Sequence, residues 1–338
     1  MSETMKAVVL HRTGGPQALC VEQVPVPRPR RGEVRVALRA AAINRRDVWI
    51  TLDRYPGMKL PCILGSDGAG VVDAIGEDVD PALMGREVVI YPAAGWGDDP
   101  RAGGRQFHVL GMPDPGTFAG WICRPAEGIY PRPAHLDWHQ AASLPLCGLT
   151  AWRALVTQAG VDARCRVLVT GIGGGVATTA LLLAVHLGAE VWVSSSSAEK
   201  IARAVALGAA GGIDYRDADW ATRLRKRAGP MDAVIDGTGG IDIIRALEVL
   251  APGGRAVVYG ATAGNPPTGP NMAQLFFRQI QLRGSTMGTP FDFAAMLDFV
   301  NAKRIVPVVD RICALDDAVA AHEHVLQARQ MGKVVLAI

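Results

Sequence analysis

The most informative stretch of this sequence is Val167-Leu168-Val169-Thr170-Gly171-Ile172-Gly173-Gly174-Gly175-Val176-Ala177. It places a glycine-rich turn directly after an apolar, β-branched segment and directly before an apolar segment of helical length. Glycines let a backbone approach a pyrophosphate without Cβ clashes, and the N–H groups and dipole of the following helix favour that anion. The stretch therefore predicts a strand, a dinucleotide-binding turn and a helix, and the alternative is a turn that merely connects the two elements.

The same alternation continues on the C-terminal side of this turn. Apolar segments alternate with alanine- and leucine-rich segments of helical length, which is the pattern of βαβ units around a parallel sheet. The expected strands are 166–170, 190–194, 211–214, 232–236, 255–260 and 281–285. The expected helices are 176–187, 199–207, 220–228 and 242–250. Together they predict a doubly wound α/β domain.

The residues before Cys147 have a different texture. They are rich in proline and glycine, and short β-branched segments at 7–10, 34–38, 70–74 and 87–91 indicate strands separated by turns. After Phe291 we expect helices at 293–302 and 316–329 and a last strand at 333–338, which returns to the first domain. Two domains also fit a chain of 338 residues, because single cores rarely grow beyond about 250 to 300 residues.

Composition argues against several classes of protein. The net charge of +3 arises from 35 basic and 32 acidic residues spread along the chain, which does not favour a nucleic-acid partner. The most basic run, 223–227, is expected to be the solvated face of a helix that ends at Gly229. No apolar run approaches the roughly 18 residues of a membrane span, and the start lacks the pattern of a signal peptide. Six scattered cysteines without a C-x-x-C pair are typical of reduced thiols, so we expect a soluble cytoplasmic protein.

Four consecutive serines, Ser194 to Ser197, follow the second strand of the predicted sheet. A fold that selects NAD usually has an acidic side chain there, about 20 residues after the glycine turn, to bind the ribose 2′-hydroxyl. Hydroxyl groups instead donate to a 2′-phosphate, and Lys200 or Arg203 can add positive charge. We therefore predict NADP(H) over NAD. The alternative is a serine-rich loop with a solvated Lys200, and Glu199 is a local argument against the prediction.

Several motifs in order carry a resemblance to a known family. They are Ala42-Ile43-Asn44-Arg45-Arg46-Asp47, Leu60-Pro61, Gly65-Ser66-Asp67-Gly68-Ala69-Gly70, Leu144-Pro145, Leu149-Thr150-Ala151-Trp152, Asp236-Gly237-Thr238, Gly284-Ser285-Thr286-Met287-Gly288 and Gly332-Lys333-Val334-Val335. Over nearly its full length the chain resembles the medium-chain dehydrogenase/reductase superfamily, particularly the quinone oxidoreductase branch and the related zinc-type alcohol dehydrogenase-like proteins.

The resemblance implies an α/β architecture of two domains. A GroES-like, β-rich catalytic domain is expected at 1–147 and 288–338, and a Rossmann domain with a doubly wound parallel sheet at 148–287. The resemblance also implies a homodimer that pairs Rossmann edge strands around 281–285. The residues expected at the cofactor from the turn, the serines and the resemblance are Thr150, Gly171, Gly173, Gly174, Gly175, Val176, Ser194, Ser195, Ser196, Lys200, Gly260, Ala261, Ser285, Thr286 and Met287, the last three lining the nicotinamide.

The zinc ligands of the superfamily are missing from this sequence. Zinc-dependent relatives bind the catalytic metal through a Cys, a His in a G-H-E motif and a later Cys or Asp. The matching positions hold Asn44, Ser66 and Leu146. Asp47 and Asp67 are interpreted as carboxylates that accept turn amides, although both are conceivable ligands. The segment 92–111, which matches the lobe of the structural zinc, contains no cysteine. The two histidines of His322-Glu323-His324 point to different helix faces, so we expect no metal.

These observations define one leading hypothesis and two rivals. Without a Lewis acid alcohol oxidation becomes harder, whereas hydride donation to an electron-poor acceptor remains feasible. We therefore expect an NADPH-dependent reductase of a quinone or an activated alkene, such as an enone or enal. Asn44 is the candidate donor to the acceptor oxygen, and Tyr55 is expected to orient substrate or nicotinamide. Asp47, in the same motif as Asn44, is the third candidate catalytic residue. Alternatively, Asn44 caps a turn and Tyr55 only packs. The rivals are a carbonyl or alcohol dehydrogenase and an NADPH-binding sensor without turnover.

Overall fold

A computed structural model describes residues 3–338, which form two compact units. One unit contains residues 3–146 together with Thr289–Ile338, and the other contains Cys147–Gly288. Each boundary lies one residue from the position that the resemblance implies. Among the residues described, no helix has the length and apolar character needed to cross a bilayer.

Most of the helices and strands of the first unit begin before Cys147. They are β1 (Thr4–Leu10), β2 (Leu19–Pro25), β3 (Glu33–Ile43), α1 (Arg45–Thr51), β4 (Cys62–Ile63), β5 (Asp67–Ile75), β6 (Glu87–Ile90), β7 (Ala93–Ala94), β8 (His108–Val109), β9 (Trp121–Pro125), β10 (Ile129–Pro131), α2 (Trp138–Ala142) and α3 (Pro145–Trp152), the last of which contains the boundary between the units.

The second unit continues with a π-helix (Arg153–Gln158), β11 (Arg166–Val169), α4 (Gly175–His186), β12 (Glu190–Ser194), α5 (Ala198–Ala206), β13 (Gly211–Ile213), α6 (Trp220–Ala228), β14 (Met231–Asp236), α7 (Gly240–Val249), β15 (Leu250–Val258), α8 (Met272–Phe277) and β16 (Gln281–Gly284). The first unit then resumes with α9 (Pro290–Lys303), β17 (Val309–Ala314), α10 (Ala318–Leu326) and β18 (Lys333–Ala337).

The long strand β3 lies at the centre of the first unit. The sheet order is β10-β6-β5-β3-β18-β17, and β9 also pairs with β3. Alternate residues of β3, among them Val34, Val36 and Leu38, are buried in a core with side chains of β5, β6 and β9. Strand β18 pairs antiparallel with β3, so the C-terminal strand returns to the first unit as predicted.

The second unit contains a sheet of parallel strands in the order β13-β12-β11-β14-β15-β16. The order reverses between β11 and β14, and in such doubly wound sheets ligands bind outside the carboxyl ends of the strands at that point. The glycine turn directly follows β11, so it lies at this switch point. The predicted α/β class is therefore confirmed, and the chain contains a β-rich unit and a doubly wound one.

Most elements expected from the sequence are present, but their observed bounds differ from the expected ones by up to five residues. Strand β12 and helix α6 have the expected bounds, whereas β15 begins at Leu250 instead of residue 255. The run 223–227 lies on α6 with Arg223, Lys226 and Arg227 exposed, and Gly229 ends the helix at φ +76°. Strand β17 was not expected, because its sequence is interrupted by charged residues.

Candidate active site

The glycine turn after β11 has the geometry of a phosphate-binding turn. Gly171 and Gly173 adopt φ values of +62° and +120°, which favour glycine. A Cβ atom on Gly171 would lie 2.6 Å from Cγ2 of Thr238. Gly174 is the N-cap of α4, and no side chain caps this helix, so the first amides of Gly175 and Val176 keep their capacity to bind an anion. These residues therefore fit the pyrophosphate of a dinucleotide.

A buried carboxylate, Asp236, ties this turn to the loop after β14. Its Oδ1 atom accepts hydrogen bonds from Thr170 Oγ1 at 2.5 Å and from Thr238 Oγ1 at 2.7 Å. Its Oδ2 atom accepts from the backbone N–H of Gly239 at 2.8 Å. Sequence reasoning quoted Asp236 only as part of a family motif. The sequence contained one signal for the structural role of Asp236, because this residue ends a buried parallel strand.

The serines that follow β12 lie beside the glycine turn. The carbonyl oxygen of Ser194 accepts from the backbone N–H of Ile172 at 2.9 Å. The Oγ atom of Ser194 accepts from the backbone N–H of Gly171 at 3.3 Å. Ser195 Oγ accepts from the N–H of Ser197 at 3.1 Å. A hydroxyl that accepts a backbone hydrogen bond still has its own hydrogen to donate. Ser196 is partly exposed at the same edge of the sheet.

Ser197 has a role that sequence reasoning missed. It is the N-cap of α5, and its Oγ atom accepts from the backbone N–H of Lys200 at 3.2 Å. Serine followed by a charged helical segment is a recognised N-terminal signal, so the pattern contained this information. The cap fixes the start of the helix that contains Glu199 and Lys200.

The residues expected near the nicotinamide also lie at the carboxyl edge of the parallel sheet. Ser285 follows β16, and its backbone N–H donates to the carbonyl of Val258 at 2.9 Å. Thr150 Oγ1 lies 3.8 Å from the sulfur of Met287. Thr286 is exposed. The Oγ atom of Ser285 is buried and has no hydrogen-bond partner among residues 3–338. Thr150 and Met287 are thus in contact, and their role in cofactor binding stays a prediction.

The segment that contains Gly260 and Ala261 follows β15 and packs against the loop after β14. A Cβ atom on Gly260 would lie 3.2 Å from the carbonyl oxygen of Gly237. The backbone N–H of Gly264 donates to the carbonyl of Ala261 at 3.0 Å. A larger residue at position 260 would therefore require one of the two loops to shift by a few tenths of an ångström.

In the first unit, three buried polar side chains form a hydrogen-bonded cluster. The ammonium group of Lys333 donates to Oδ1 of Asn44 at 2.6 Å and to Oδ2 of Asp67 at 2.8 Å. Nδ2 of Asn44 donates to the same Asp67 oxygen at 2.9 Å. The other Asp67 oxygen accepts from the backbone N–H of Leu146 at 2.7 Å. The exposed fractions are 6% for Asn44, 3% for Lys333 and 0% for Asp67. We refer to Asn44, Asp67 and Lys333 as the lysine cluster.

A second cation, Arg46, lies next to the lysine cluster. Its Nη1 atom donates to Ser66 Oγ at 2.9 Å and to the carbonyl of Leu110 at 2.7 Å. The centre of its guanidinium group lies 4.7 Å from the centroid of the Tyr55 ring. Tyr55 therefore packs against the guanidinium group of Arg46, and its role towards a substrate stays a prediction. Neither Lys333 nor Arg46 was among the predicted site residues.

Asp47 is fully buried and forms an incomplete set of hydrogen bonds. Its Oδ2 atom accepts from the backbone N–H of Asn44 at 2.8 Å. Its Oδ1 atom has no hydrogen-bond partner among residues 3–338 and lies 3.7 Å from Nη1 of Arg46. Burial raises the pKa of Asp47 from 3.8 to about 6, and the charge of Arg46 opposes that shift. Asn44 is the N-cap of α1, so the capping interpretation is confirmed.

These side chains do not fit a zinc ion at the positions that bind catalytic zinc in relatives. Asn44 accepts from an ammonium group, Ser66 accepts from a guanidinium group, and Leu146 offers only its backbone. Asp47 and Asp67 both accept backbone amides, as expected. Zinc prefers thiolate, imidazole and carboxylate ligands, and two cations would repel it here. Within residues 3–338, no three His, Cys, Asp or Glu side chains are grouped so that they could hold a metal ion.

The two histidines of α10 point in different directions. His322 is buried, and its ring lies 5.5 Å from the ring of Phe118 in an edge-to-face arrangement. Burial lowers the pKa of His322 to about 4. Nε2 of His324 lies 2.9 Å from Oδ2 of Asp310. The two side chains thus have separate packing roles.

Comparisons with known proteins agree with this architecture. Residues 30–134 match the family described as "Alcohol dehydrogenase GroES-like domain", and residues 175–302 match "Zinc-binding dehydrogenase". The zinc-type alcohol dehydrogenase-like protein YogA of Leptosphaeria maculans is 38% identical over 96% of this chain and 95% of its own length. Quinone oxidoreductase of Rattus norvegicus is 26% identical over 98% of this chain and 97% of its own.

Solved structures show the same relationship. The crystal structure of an NAD-dependent alcohol dehydrogenase has a TM-score of 0.93 and 36% identity, and the match covers 99% of this chain and 100% of that one. The sequence motifs, the sheet order and the full-length similarity therefore indicate the same superfamily. The chain belongs to the medium-chain dehydrogenase/reductase superfamily of oxidoreductases, with a GroES-like unit and a Rossmann unit.

Proposed function

We propose that this protein transfers hydride from NADPH to a quinone or an activated alkene, such as an enone or enal, without zinc. The observation that carries the proposal is the lysine cluster. An alcohol must lose a proton to become a hydride donor, and relatives use zinc to stabilise the alkoxide. The cluster offers an ammonium group and an amide instead, which suit an acceptor that is already electron-poor.

Our proposal that the cofactor is NADPH rests on the residues at the end of β12. No carboxylate stands at the strand end, where an NAD-selective fold usually binds the ribose 2′-hydroxyl. Ser194, Ser195 and Ser196 offer hydroxyl hydrogens there, and Lys200 adds a positive charge in the first turn of α5. When bound, the nicotinamide supplies the hydride. The chain's own residues would hold the pyrophosphate at Gly171 to Val176 and the 2′-phosphate at the serines.

Two residues of the first unit are proposed to contact the acceptor, and a third is proposed to hold one of them in place. Asn44 would donate a hydrogen bond to the oxygen that gains negative charge, through the amide hydrogen that now makes a long 3.4 Å contact with the carbonyl of Ala42. Tyr55 would orient the acceptor. Asp47 would fix the backbone of Asn44, because its carboxylate accepts the Asn44 N–H.

The second candidate is an NAD-dependent carbonyl or alcohol dehydrogenase. It is favoured by the 36% identity to a solved NAD-dependent alcohol dehydrogenase and by Glu199, which is exposed in the first turn of α5. A third candidate, an NADPH-binding sensor, would bind cofactor without turnover.

One experiment separates these candidates. The purified protein is mixed with NADPH or NADH and a panel of quinones, 2-alkenals and saturated aldehydes, and oxidation of the cofactor is followed by its absorbance. We expect turnover of quinones or 2-alkenals with NADPH and little turnover of saturated aldehydes. Turnover confined to aldehydes would favour the second candidate, and cofactor binding without any turnover would favour the third.

We also propose a cytoplasmic homodimer formed at the edge strand β16. This strand ends the sheet of the second unit, so one side of its backbone has no neighbouring strand within residues 3–338. Large apolar side chains are exposed beside it, with exposed fractions of 50% for Leu282, 63% for Phe276 and 79% for Phe277. An edge strand with exposed apolar neighbours is a common site of association.

A further inference from the structure

Lys333, the cation of the lysine cluster, is the first residue of β18. Val334 pairs with Ile43 across β18 and β3, so Lys333 lies beside Asn44 at the end of this ladder. The preceding residue, Gly332, has a φ of +103°, and a Cβ atom there would lie 2.2 Å from the carbonyl oxygen of Val308. Only glycine can occupy that position, so the backbone that leads into Lys333 has little freedom.

Two opposite charges fix the orientation of the Asn44 amide. Oδ1 faces the Lys333 ammonium at 2.6 Å, and Nδ2 faces the Asp67 carboxylate at 2.9 Å. Rotating the amide by half a turn would bring Nδ2 against the ammonium group and Oδ1 against the carboxylate. Both new contacts would be repulsive, and the buried surroundings strengthen each repulsion. The amide therefore has one favoured orientation.

The carboxylate that completes this arrangement is itself held in place. Its second oxygen accepts from the backbone N–H of Leu146 at 2.7 Å, and the Asp67 carbonyl accepts from Thr117 Oγ1 at 2.7 Å. Asn44 is likewise anchored through its backbone N–H, which donates to Asp47. The amide thus lies between a fixed cation and a fixed anion.

We propose that Lys333 is a positioning residue for the hydride-transfer reaction and acts through Asn44. The ammonium group holds the amide in one orientation and polarises it, so that the Nδ2 hydrogen that faces the carbonyl of Ala42 becomes a stronger donor to the acceptor oxygen as that oxygen gains charge. Hydrogen bonds in series strengthen one another in this way. This inference rests on the proposed function, because it assigns the amide to the acceptor.

A kinetic cycle tests the coupling between Lys333 and Asn44. Lys333→Met alone would leave the Asp67 charge buried and unpaired, so the test variant combines Lys333→Met with Asp67→Asn, which removes both charges. We expect kcat for the best quinone or alkenal to fall about tenfold or more, with the KM for NADPH within about twofold of the wild type. Asn44→Ala should cause a similar fall, and adding it to the paired variant should cause little further loss.

The proposal is overturned if kcat of the paired variant stays at the wild-type value, or if its effect multiplies with that of Asn44→Ala. Lys303→Met is the matched control, because Lys303 is an exposed lysine at the end of α9. It should leave kcat unchanged.

A second readout does not depend on turnover. In the ¹⁵N-labelled protein, the two side-chain amide hydrogens of Asn44 should give separate NMR signals that exchange slowly with solvent. In the paired variant we expect them to shift and to exchange about tenfold faster or more, because the charges that hold the amide are gone. Unchanged amide signals would overturn the positioning role. If no acceptor is turned over by the wild type, the proposed function fails, and the amide signals still decide whether Lys333 orients Asn44.

Discussion

Nη1 of Arg46 donates to Oγ of Ser66 at 2.9 Å, at the position where the resemblance places a histidine ligand in zinc-dependent relatives. The same nitrogen donates to the carbonyl of Leu110, to which Ser66 Oγ also donates at 2.7 Å. The guanidinium group covers the ring of Tyr55. Arg46 therefore joins the start of β5, the segment around Leu110 and the candidate substrate residue Tyr55.

Replacing Arg46 with lysine should destabilise the protein. An ammonium group cannot contact Ser66, the carbonyl of Leu110 and the Tyr55 ring together, so at least one of these buried contacts would be lost. We expect the free energy of unfolding to fall by about 2 to 4 kcal/mol, measured by urea denaturation. Arg54→Lys, at a nearby exposed position, is the control and should change little. Equal stability of Arg46→Lys and the wild type would show that these contacts are not important.

Introducing a carboxylate at the end of β12 should reverse the cofactor preference. In Ser195→Asp, the new charge would repel a 2′-phosphate and accept hydrogen bonds from a ribose diol. We expect the ratio of kcat/KM for NADPH to that for NADH to fall about tenfold or more. Glu199→Gln, which removes the nearby native carboxylate, should raise the ratio instead. Comparable KM values for NADPH and NADH in the wild type would contradict the predicted preference.

The buried carboxyl group of Asp47 should make stability depend on pH. Its pKa is about 6 in the folded protein and 3.8 in its ordinary state, so the folded protein binds this proton more tightly than the unfolded chain. The stabilisation is complete below pH 3.8 and is lost as the pH rises through about 6. Relative to Asp47→Asn, the wild type should therefore lose up to about 3 kcal/mol across this window.

Urea denaturation of the wild type and Asp47→Asn at several pH values measures this dependence. Asp53→Asn is the control, because Asp53 is exposed, and its difference from the wild type should not vary with pH in the same way. A difference between wild type and Asp47→Asn that stays constant over the window would mean that the Asp47 carboxyl group keeps its ordinary pKa in the folded protein.

Sedimentation should show a dimer that depends on β16. Replacing Leu282 with lysine puts a charge on the edge strand and should shift the protein towards monomer at micromolar concentration. Met84→Lys changes an exposed apolar residue of the first unit and should leave the dimer intact. A monomeric wild type would refute the proposed association.

The sequence predicted the second unit closely, because its signals are local. The central parallel strands β11, β12 and β14 are mostly buried and are therefore apolar runs, and glycines or helix caps mark the ends of the neighbouring elements. Strand β17 escaped prediction because Asp310 and Arg311 interrupt its apolar pattern. It forms because β18 offers a parallel partner.

The candidate site was predicted only in part. The glycine turn and the serines carry their chemistry in neighbouring residues, so the sequence revealed them. Lys333 lies 289 residues from Asn44 along the chain, and its contact with that side chain depends on how β18 pairs with β3. A buried charge has no local signature, because its partner is supplied by the tertiary fold. The same reason explains why Arg46 was missed.

Metal content, measured together with NADPH-dependent turnover on one preparation, tests directly whether this protein transfers hydride without zinc. Protein purified without chelator is analysed for zinc by mass spectrometry, and reduction of a quinone or 2-alkenal is then measured before and after exhaustive chelation. We expect far less than one zinc per chain and a kcat unchanged by chelation. One tightly bound zinc per chain, with activity that is lost on chelation and restored by zinc, would contradict this expectation.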